Sequence, residues 1–477
     1  MALHERLTRE IREGPRGPKV AAFFDLDQTL LAGFSAVAFF QERLLSGRMS
    51  PRELGESLLG ALAFSLGRTG FSGFVAATTA AYRGLAESVL EEIGEEVFEK
   101  HLATAIFPES RALVKAHREM GHTLAIVSSA TRYQAEPLAR ELGITHVLCT
   151  QLEVEDGAFT GRVVRPTCYG EGKAQVARAL ADAHDLDLGE SWFYTDSHED
   201  LPLLELVGRP RPLNPTARLA QIAKERRWPV RRFRSRGTPG LADVVRTGLV
   251  YGSLVPSLWA GVVAGLANRS RREAVNMLGS VWGDLATSLA GVDLRVEGEE
   301  HLWSHRPAVF IFNHQSGLDA LLMIKLLRRD MTGVAKQEIR RNPVFGPLFG
   351  AAGVVFIDRA DRVKAIEALA PAVQALREGR SLAIAPEGTR SPTPRPGPFK
   401  KGAFHIAMQA GVPIVPVVFR NVLDALPKHA WVVRPATVEA VVLPPVDTSG
   451  WSRETLDAEV EAIRMRYLEV LEGQEHP

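Results

Sequence analysis

Cysteine, excess charge and an apolar leader are what this chain is short of. Its only two cysteines are Cys149 and Cys168. Two thiols without metal-ligand spacing exclude a disulfide framework and suit a reducing cytosol. Lys and Arg number 57 against 56 Asp and Glu, a formal net charge of +1. That balance excludes whole-molecule attraction to nucleic acid or to acidic partners. Residues 1–19 mix charges without an apolar core, so no secretory leader is expected. There is no internal repeat and no low-complexity tract. What remains is ordinary for globular protein, 45% hydrophobic and 24% charged over 477 residues, enough chain for roughly two or three domains.

Charge is also missing locally. Between Arg209 and Arg236 the only acid is Glu225, among Arg209, Arg211, Arg218, Lys224, Arg226, Arg227, Arg231, Arg232, Arg234 and Arg236. From Thr247 to Ala267 there is no charge at all, and Arg269, Arg271 and Arg272 follow at once. An uncharged run of this length can span a bilayer as a helix. Pro256 at its middle would kink or break that helix. Basic residues at both ends also lack the asymmetry of an oriented span, and a single crossing would put the two halves of the chain on opposite sides. The pattern therefore predicts a monotopic element in the cytoplasmic leaflet, a kinked helix or helical hairpin. Glu273 to Leu289 would be its amphipathic partner, with Val275, Leu278, Val281, Trp282, Leu285 and Leu289 near helical spacing, and the basic flanks would attract anionic headgroups. A helix buried between domains is the competing reading. Without aromatic interleaving or a nucleic-acid module, the basic run predicts no nucleic-acid partner.

Phe312-Asn313-His314-Gln315-Ser316-Gly317-Leu318-Asp319 follows a short apolar run that reads as a buried strand. His314 and Asp319, on a turn leaving that strand, can meet through space. The carboxylate would hold one imidazole nitrogen protonated while the other takes a proton from an alcohol. No serine or cysteine in the stretch is placed as a nucleophile, so the base would act on substrate directly. On these residues alone, a His and an Asp capping the next helix fit equally well.

Upstream, the apolar strand Val20 to Phe24 ends in Asp25-Leu26-Asp27-Gln28-Thr29. Leu124 to Val127 runs into Ser128-Ser129-Ala130-Thr131. Gly170-Glu171-Gly172-Lys173 opens an amphipathic helix, and Trp192-Phe193-Tyr194 runs into Thr195-Asp196-Ser197-His198-Glu199-Asp200. Paired carboxylates past a strand end sit where α/β folds place their sites, and repel unless a cation or a shared proton holds them. The four pieces in this order resemble the phosphoserine-phosphatase-like branch of the haloacid dehalogenase superfamily, over about residues 18–235. The resemblance implies that Asp25 attacks phosphorus and carries an aspartyl-phosphate, and that Asp27 protonates the leaving alkoxide and then activates water. It implies phosphoryl binding by Ser128 and Lys173. It also implies Mg²⁺ between Asp25, the Asp27 carbonyl and Asp196, with Asp200 in support. Leu31 to Ile106 resembles the helical cap of that branch. Its stripe of Phe39, Phe40, Leu44 and Leu45 is expected in a core, so the cap does not identify the substrate.

Downstream of His314 come Gly333-Val334-Ala335-Lys336, then Gly353 to Arg359, then Leu382 to Ser391 with Pro386-Glu387-Gly388-Thr389-Arg390. Phe399-Lys400-Lys401-Gly402 and the apolar Val412 to Val417 complete the set. These blocks, with the Asn-His-Gln-Ser turn, resemble the 1-acylglycerol-3-phosphate acyltransferase branch of the glycerophospholipid acyltransferases, over about residues 290–450. The resemblance implies His314 as base on the 2-hydroxyl of lysophosphatidic acid, oriented by Asp319, with direct attack on an acyl thioester of CoA or acyl carrier protein. Arg359 and Arg390 would bind the substrate phosphate. Glu387 and Gly388 would shape their turn, Glu387 binding the glycerol or positioning Arg390. Lys336 is expected at the phosphate or the donor.

The fold class expected is α/β in three parts: a Rossmann-like haloacid dehalogenase domain over 1–236 with a helical cap at about 31–106, a membrane-docking helical segment over 237–290, and an α/β acyltransferase domain over 291–477. The expected protein is a two-enzyme fusion of phospholipid biosynthesis on the cytoplasmic face of the membrane, with Mg²⁺ as cofactor and the lipid surface as partner. The alternative is an acyltransferase carrying a non-catalytic, phosphatase-like regulatory domain.

Overall fold

The computed structural model describes residues 3–49, 55, 78–343, 345–357 and 370–473. The chain divides into two compact units, Met1–Thr238 and Pro239–Pro477. Each has its own sheet and its own core.

In the first unit the strands are β1 (Ala21–Phe24), β2 (Thr123–Thr131), β3 (His146–Thr150), β4 (Leu152–Glu155), β5 (Ala158–Val163), β6 (Trp192–Thr195) and β7 (Arg209–Pro212). Five form a parallel sheet in the order β3-β2-β1-β6-β7, and β4-β5 is a separate antiparallel pair. All four residues of β1 are fully buried, because helices cover both faces of a parallel sheet and a strand at its centre has no solvent side. Ala22 and Phe24 join one core cluster, Ala21 and Phe23 the other. The chain leaves β1 for β2 on one side and returns through β6 on the other. The carboxyl ends of β1 and β6 thus flank the crevice where such sheets bind ligands.

Of the expected cap, residues 50–54 and 56–77 lie outside the described residues. The helices Ser35–Leu45 and Glu87–Val97 are described. The stripe read as core divides: Phe39 is buried and Phe40 half-buried, but Leu44 and Leu45 are exposed. The helix turns Glu42 and Arg43 inward in their place. Glu42 bonds Lys100 at 2.6 Å and His101 at 3.1 Å, and Arg43 lies over the Tyr82 ring.

The basic run beginning at Arg209 is also less basic in space than in sequence. Its first residues form β7. Arg209 pairs with Glu190 at 2.8 Å, Arg211 pairs with Glu10, and Arg226 pairs with Glu205. The acids come from distant positions, so a local count of charge misses them.

The second unit carries β8 (Val292–Glu297), β9 (Val309–Phe312), β10 (Met331–Lys336), β11 (Val355–Ile357), β12 (Ser381–Ile384), β13 (Ile414–Phe419) and β14 (Ala436–Val442). They make one sheet in the order β11-β10-β12-β9-β13-β14-β8, with β13–β14 its antiparallel pair. β9 lies between β12 and β13. Phe310 and Phe312 point into one core cluster, Val309 and Ile311 into the other.

Residues 241–290 pack as part of this second unit. The helix Leu241–Gly252 is followed by Leu254–Asn268 after a break at Ser253. Pro256 falls in the first turn of the second helix, where the missing N–H has no intrahelical partner to lose. Leu241–Asn268 is long and apolar enough to cross a bilayer by length and composition. Arg269, at φ +47, turns the chain, and Ser270 caps Arg271–Ala290 by accepting from the Glu273 N–H. The two helices close into a hairpin through small residues. A Cβ at Gly261 would come 2.8 Å from the Ala274 carbonyl oxygen, and one at Gly265 would come 2.8 Å from the Ala274 Cβ. The amphipathic partner expected over 273–289 also buries small groups. Gly283, Ala286 and Ala290 are buried, whereas Val281, Trp282 and Leu285 are only partly so. A Cβ at Gly283 would lie 2.9 Å from the Lys325 Cα, so close backbone approach selects this face.

Candidate active sites

In the first unit Asp25 leaves β1 with its backbone N–H bonded to the Tyr194 carbonyl of β6 at 2.9 Å. Its carboxylate accepts from the Leu26 N–H at 2.8 Å and pairs with Lys173 at 3.0 Å. Lys173, in the first turn of the helix Glu171–His184, also reaches Asp200 at 2.8 Å, and the Thr195 hydroxyl donates to the same Asp200 oxygen at 2.6 Å. Asp25, Lys173 and Asp200 are all buried. Ser128, at 2% exposure on β2, accepts from the Ala130 N–H at 3.2 Å. Asp25, Lys173 and Asp200, far apart in sequence, thus meet at one end of the sheet.

Burial pushes the Asp25 carboxyl up to about 6, with Lys173 pulling it down and Asp200 pushing further up. Burial also lifts Asp196 to about 8, and Asp25 and Asp200 add to the shift. For Lys173 burial opposes the charge, but Asp200 and Asp25 hold the ammonium above its ordinary value. Three carboxylates against one ammonium leave an excess of negative charge, as a site built for a hard cation does. Among the described residues no three His, Cys, Asp or Glu side chains stand together in metal-holding geometry. The set read from the sequence has two carboxylates and one backbone carbonyl. That donor set fits Mg²⁺, which keeps several waters and binds through one or two carboxylates plus a substrate phosphate.

Asp27 faces the helix Ser35–Leu45. Its carboxylate accepts from the Ser35 N–H at 2.8 Å and from the Ser35 hydroxyl at 3.2 Å. The Gln134 amide in turn donates to that hydroxyl at 3.2 Å. Burial raises the Asp27 carboxyl against these bonds, which favours the protonated form that a general acid needs. Ser35 and Gln134 belong to no motif in the sequence. Their only local signal is the Thr131–Gln134 capping box that fixes Gln134.

In the second unit His314, Asp319 and Glu387 meet at the carboxyl ends of β9 and β12. His314 Nδ1 lies 2.8 Å from Asp319 Oδ2. The same oxygen accepts from the Gln315 N–H at 2.7 Å and the Ser316 N–H at 2.9 Å. Asp319 is fully buried at the first position of the helix Asp319–Leu327, while His314 keeps about a quarter of its side chain accessible (26%). The cap position of that helix is Leu318 and carries no side-chain bond, so Asp319 does not cap it; its carboxylate holds the turn and the imidazole instead. Asn313, fully buried, exchanges two hydrogen bonds with Phe419 at the end of β13, at 2.8 and 2.7 Å. The Ser316 hydroxyl donates to the Leu426 carbonyl at 2.7 Å.

Both carboxylate oxygens of Glu387 are engaged by the backbone. One carboxylate oxygen accepts from the His314 N–H at 2.6 Å and the other from the Gly397 N–H at 2.9 Å. Burial pushes its carboxyl up to about 7, against those two bonds. The turn is closed from the other side by the Ser391 N–H, which donates to the His314 carbonyl at 2.7 Å. Gly388 has φ +74, a conformation that favours glycine. Arg390 is half-buried on this turn. Lys336 is exposed at the carboxyl end of β10, on the same edge of the sheet as the dyad. Arg359 lies outside the described residues.

Residues 22–205 match the haloacid dehalogenase-like hydrolase family, and residues 293–420 match the acyltransferase family. A phosphoserine phosphatase of Mycobacterium tuberculosis is 34% identical over 262 residues, which is 54% of this chain and 83% of that protein. A 1-acyl-sn-glycerol-3-phosphate acyltransferase of Limnanthes alba is 35% identical over 203 residues, 42% of this chain and 72% of that protein. Among solved structures, the 1-acyl-sn-glycerophosphate acyltransferase of Thermotoga maritima is 28% identical with a TM-score of 0.42, covering 49% of this chain and 98% of that one.

Proposed function

This chain belongs to two enzyme families, the haloacid dehalogenase-like hydrolases through its first unit and the glycerolipid acyltransferases through its second, and on that premise we propose that it is a bifunctional enzyme of phospholipid biosynthesis. The second unit transfers an acyl group from acyl-CoA or acyl carrier protein to the 2-hydroxyl of lysophosphatidic acid. The first hydrolyses a phosphomonoester with Mg²⁺ as cofactor.

The observation that carries the acyl-transfer reading is the His314–Asp319 pair, 2.8 Å apart with Asp319 buried and His314 partly open. Asp319 keeps Nδ1 protonated, so Nε2 is free to take the acceptor's hydroxyl proton. The alkoxide oxygen bonds to the thioester carbonyl carbon, the carbon–sulfur bond breaks, and the imidazolium returns the proton to the leaving thiolate. Arg390 and Arg359 bind the acceptor's phosphate, and Lys336 serves the phosphate or the donor. Glu387 and Gly388 hold the turn that carries Arg390.

In the first unit Asp25 attacks phosphorus as Asp27 gives its proton to the leaving alkoxide. Asp27 then takes a proton from the water that hydrolyses the aspartyl-phosphate. Ser128 and Lys173 bind the phosphoryl oxygens. Asp25, the Asp27 carbonyl and Asp196 would hold Mg²⁺, with Asp200 bracing Lys173. When bound, the ion offsets charge between nucleophile and phosphate.

Residues 241–290 dock monotopically on the cytoplasmic face of the membrane. This is supported by Leu241, Val245, Leu249, Val255, Trp259 and Leu266, each more than half exposed on an apolar hairpin, since soluble surfaces rarely expose so much apolar area.

The test is acyl transfer from labelled acyl-CoA to lysophosphatidate by the full chain and by His314→Ala. A fall of about 10²–10⁴-fold is expected on loss of a general base; unchanged transfer sinks the reading. Flotation with phosphatidylglycerol vesicles tests the docking, and protein that stays in the aqueous fraction with vesicles present overturns it.

A further inference from the structure

Five basic side chains lie between positions 380 and 401: Arg380, Arg390, Arg395, Lys400 and Lys401. Three are matched to acids. Arg380 pairs with Glu378 at 2.9 Å, Arg395 with Glu472 at 2.6 Å and Lys401 with Asp457 at 2.5 Å. The guanidinium of Arg390 and the ammonium of Lys400 have no such partner among the described residues.

The fold places these two cations on one turn. The Lys400 N–H is bonded to the Pro386 carbonyl at 2.9 Å. Its side chain then lies across Gly388. A Cβ built at Gly388 would come 2.9 Å from the ammonium nitrogen and 3.2 Å from both Cδ and Cε. Gly388 is needed for its φ of +74, and the Lys400 side chain lies along its open face. Glu387, next to Gly388, does not neutralise Lys400, because each of its oxygens is taken by a backbone N–H. Both strands of the turn are bonded to His314, through its N–H and its carbonyl. An exposed lysine is ordinarily solvated and needs no partner. Lys400 differs in that its side chain lies along the turn that is bonded to His314 and meets no acid among the described residues, while its sequence neighbour Lys401 is given one.

We propose that Lys400 is a phosphate-binding residue of the acyl-transfer site, acting with Arg390 on a phosphate group carried by one of the two substrates. The proposal rests on the acyltransferase reading above. Two substrates carry phosphate: the acceptor as a monoester, and the donor in its CoA or phosphopantetheine portion. An ammonium serves either as a mobile point charge.

The experiment is steady-state acyl transfer by the full chain in mixed micelles, comparing wild type with Lys400→Gln, Lys400→Arg and Lys401→Gln. Each is run with lysophosphatidate and with phosphate-free monoacylglycerol as acceptor, and with acyl-CoA and phosphate-free S-acyl-N-acetylcysteamine as donor. Lys400→Gln is expected to raise the KM of the phosphate-bearing substrate by about ten- to a hundredfold, the scale of a charge-assisted hydrogen bond. The effect should disappear when that substrate loses its phosphate, Lys400→Arg should recover most of it, and Lys401→Gln should show none. A rise for lysophosphatidate assigns the acceptor, and a rise for acyl-CoA assigns the donor. Unchanged KM for both, or an equal loss with phosphate-free acceptor and donor, overturns the proposal. Absence of transfer by the wild type would instead overturn the acyltransferase reading itself.

Discussion

At the scale of single residues, both sites depend on charged groups that the fold buries. Lys173 is the clearest case, held between Asp25 and Asp200 at 3.0 and 2.8 Å with 2% exposure. Removing one partner of a buried ionic set leaves the others uncompensated. Lys173→Met is therefore expected to destabilise the first unit by about 3–5 kcal/mol, measured by chemical denaturation, and Asp200→Asn in the same chain should recover part of the loss. In the second unit Glu387 sets a pH dependence. Its carboxyl is raised to about 7 by burial, so the folded chain holds a proton that the unfolded chain releases near its ordinary value of about 4.3. Its contribution to stability is fully present below that ordinary value and is lost as pH rises through about 7. Melting curves of wild type and Glu387→Gln across that window should show the wild type declining with pH and the variant flatter; parallel curves would refute the assignment. Asp319→Asn tests the orientation of the base. All three hydrogen bonds of Asp319 fall on one carboxylate oxygen, which an amide oxygen can replace, but the neutral amide lacks the charge that stabilises the imidazolium, so transfer should fall by about 10²–10⁴-fold.

At the scale of elements, small residues decide how the apolar helices pack. Gly261 and Gly265 let Leu254–Asn268 lie against Ala274, with a Cβ at either position coming to 2.8 Å of its neighbour. Gly261→Leu should force the hairpin apart and cost about 1–3 kcal/mol, the range for overpacking, read as a lower melting temperature of the second unit. A substitution on the outer face, such as Trp259→Ser, should leave melting unchanged and weaken vesicle binding. If Gly261→Leu melts like the wild type, the hairpin packing described here is wrong. The loop after β13 links these helices to the catalytic turn. The Ser316 hydroxyl holds the Leu426 carbonyl at 2.7 Å, and the Val433 N–H is held by the Thr247 hydroxyl at 2.9 Å.

At the scale of the whole molecule, the two units have separate sheets, cores and sites. Loss of one chemistry should leave the other intact. Asp25→Asn should abolish phosphate release and keep acyl transfer, and His314→Ala should do the reverse. Phosphate release that persists in Asp25→Asn would place that activity elsewhere. A screen of serine phosphate, glycerol phosphate, lysophosphatidate and phosphatidate would identify the first unit's substrate, which its motif residues leave open because they bind only the phosphoryl group.

The sequence alone determined the residue types of both sites and the strands that carry them. Asp25 and His314 stand just past apolar runs and Lys173 opens an amphipathic helix, and period and punctuation locate such segments without tertiary information. It also showed that residues 247–267 lack charge. Only the tertiary structure decided which groups those residues face. Ser35 reaches Asp27 from the next helix, Gln134 braces Ser35 from another, and both oxygens of Glu387 accept from backbone N–H groups at the His314 turn. Glu10, Glu190 and Glu205 neutralise part of a run that looked uniformly basic. The reason is physical: periodicity follows from backbone geometry within a few residues, whereas charge pairing and burial depend on neighbours brought from far along the chain. Lys400 shows the same division. Its identity is plain in the sequence, but its place across Gly388 follows from the turn that folds it there.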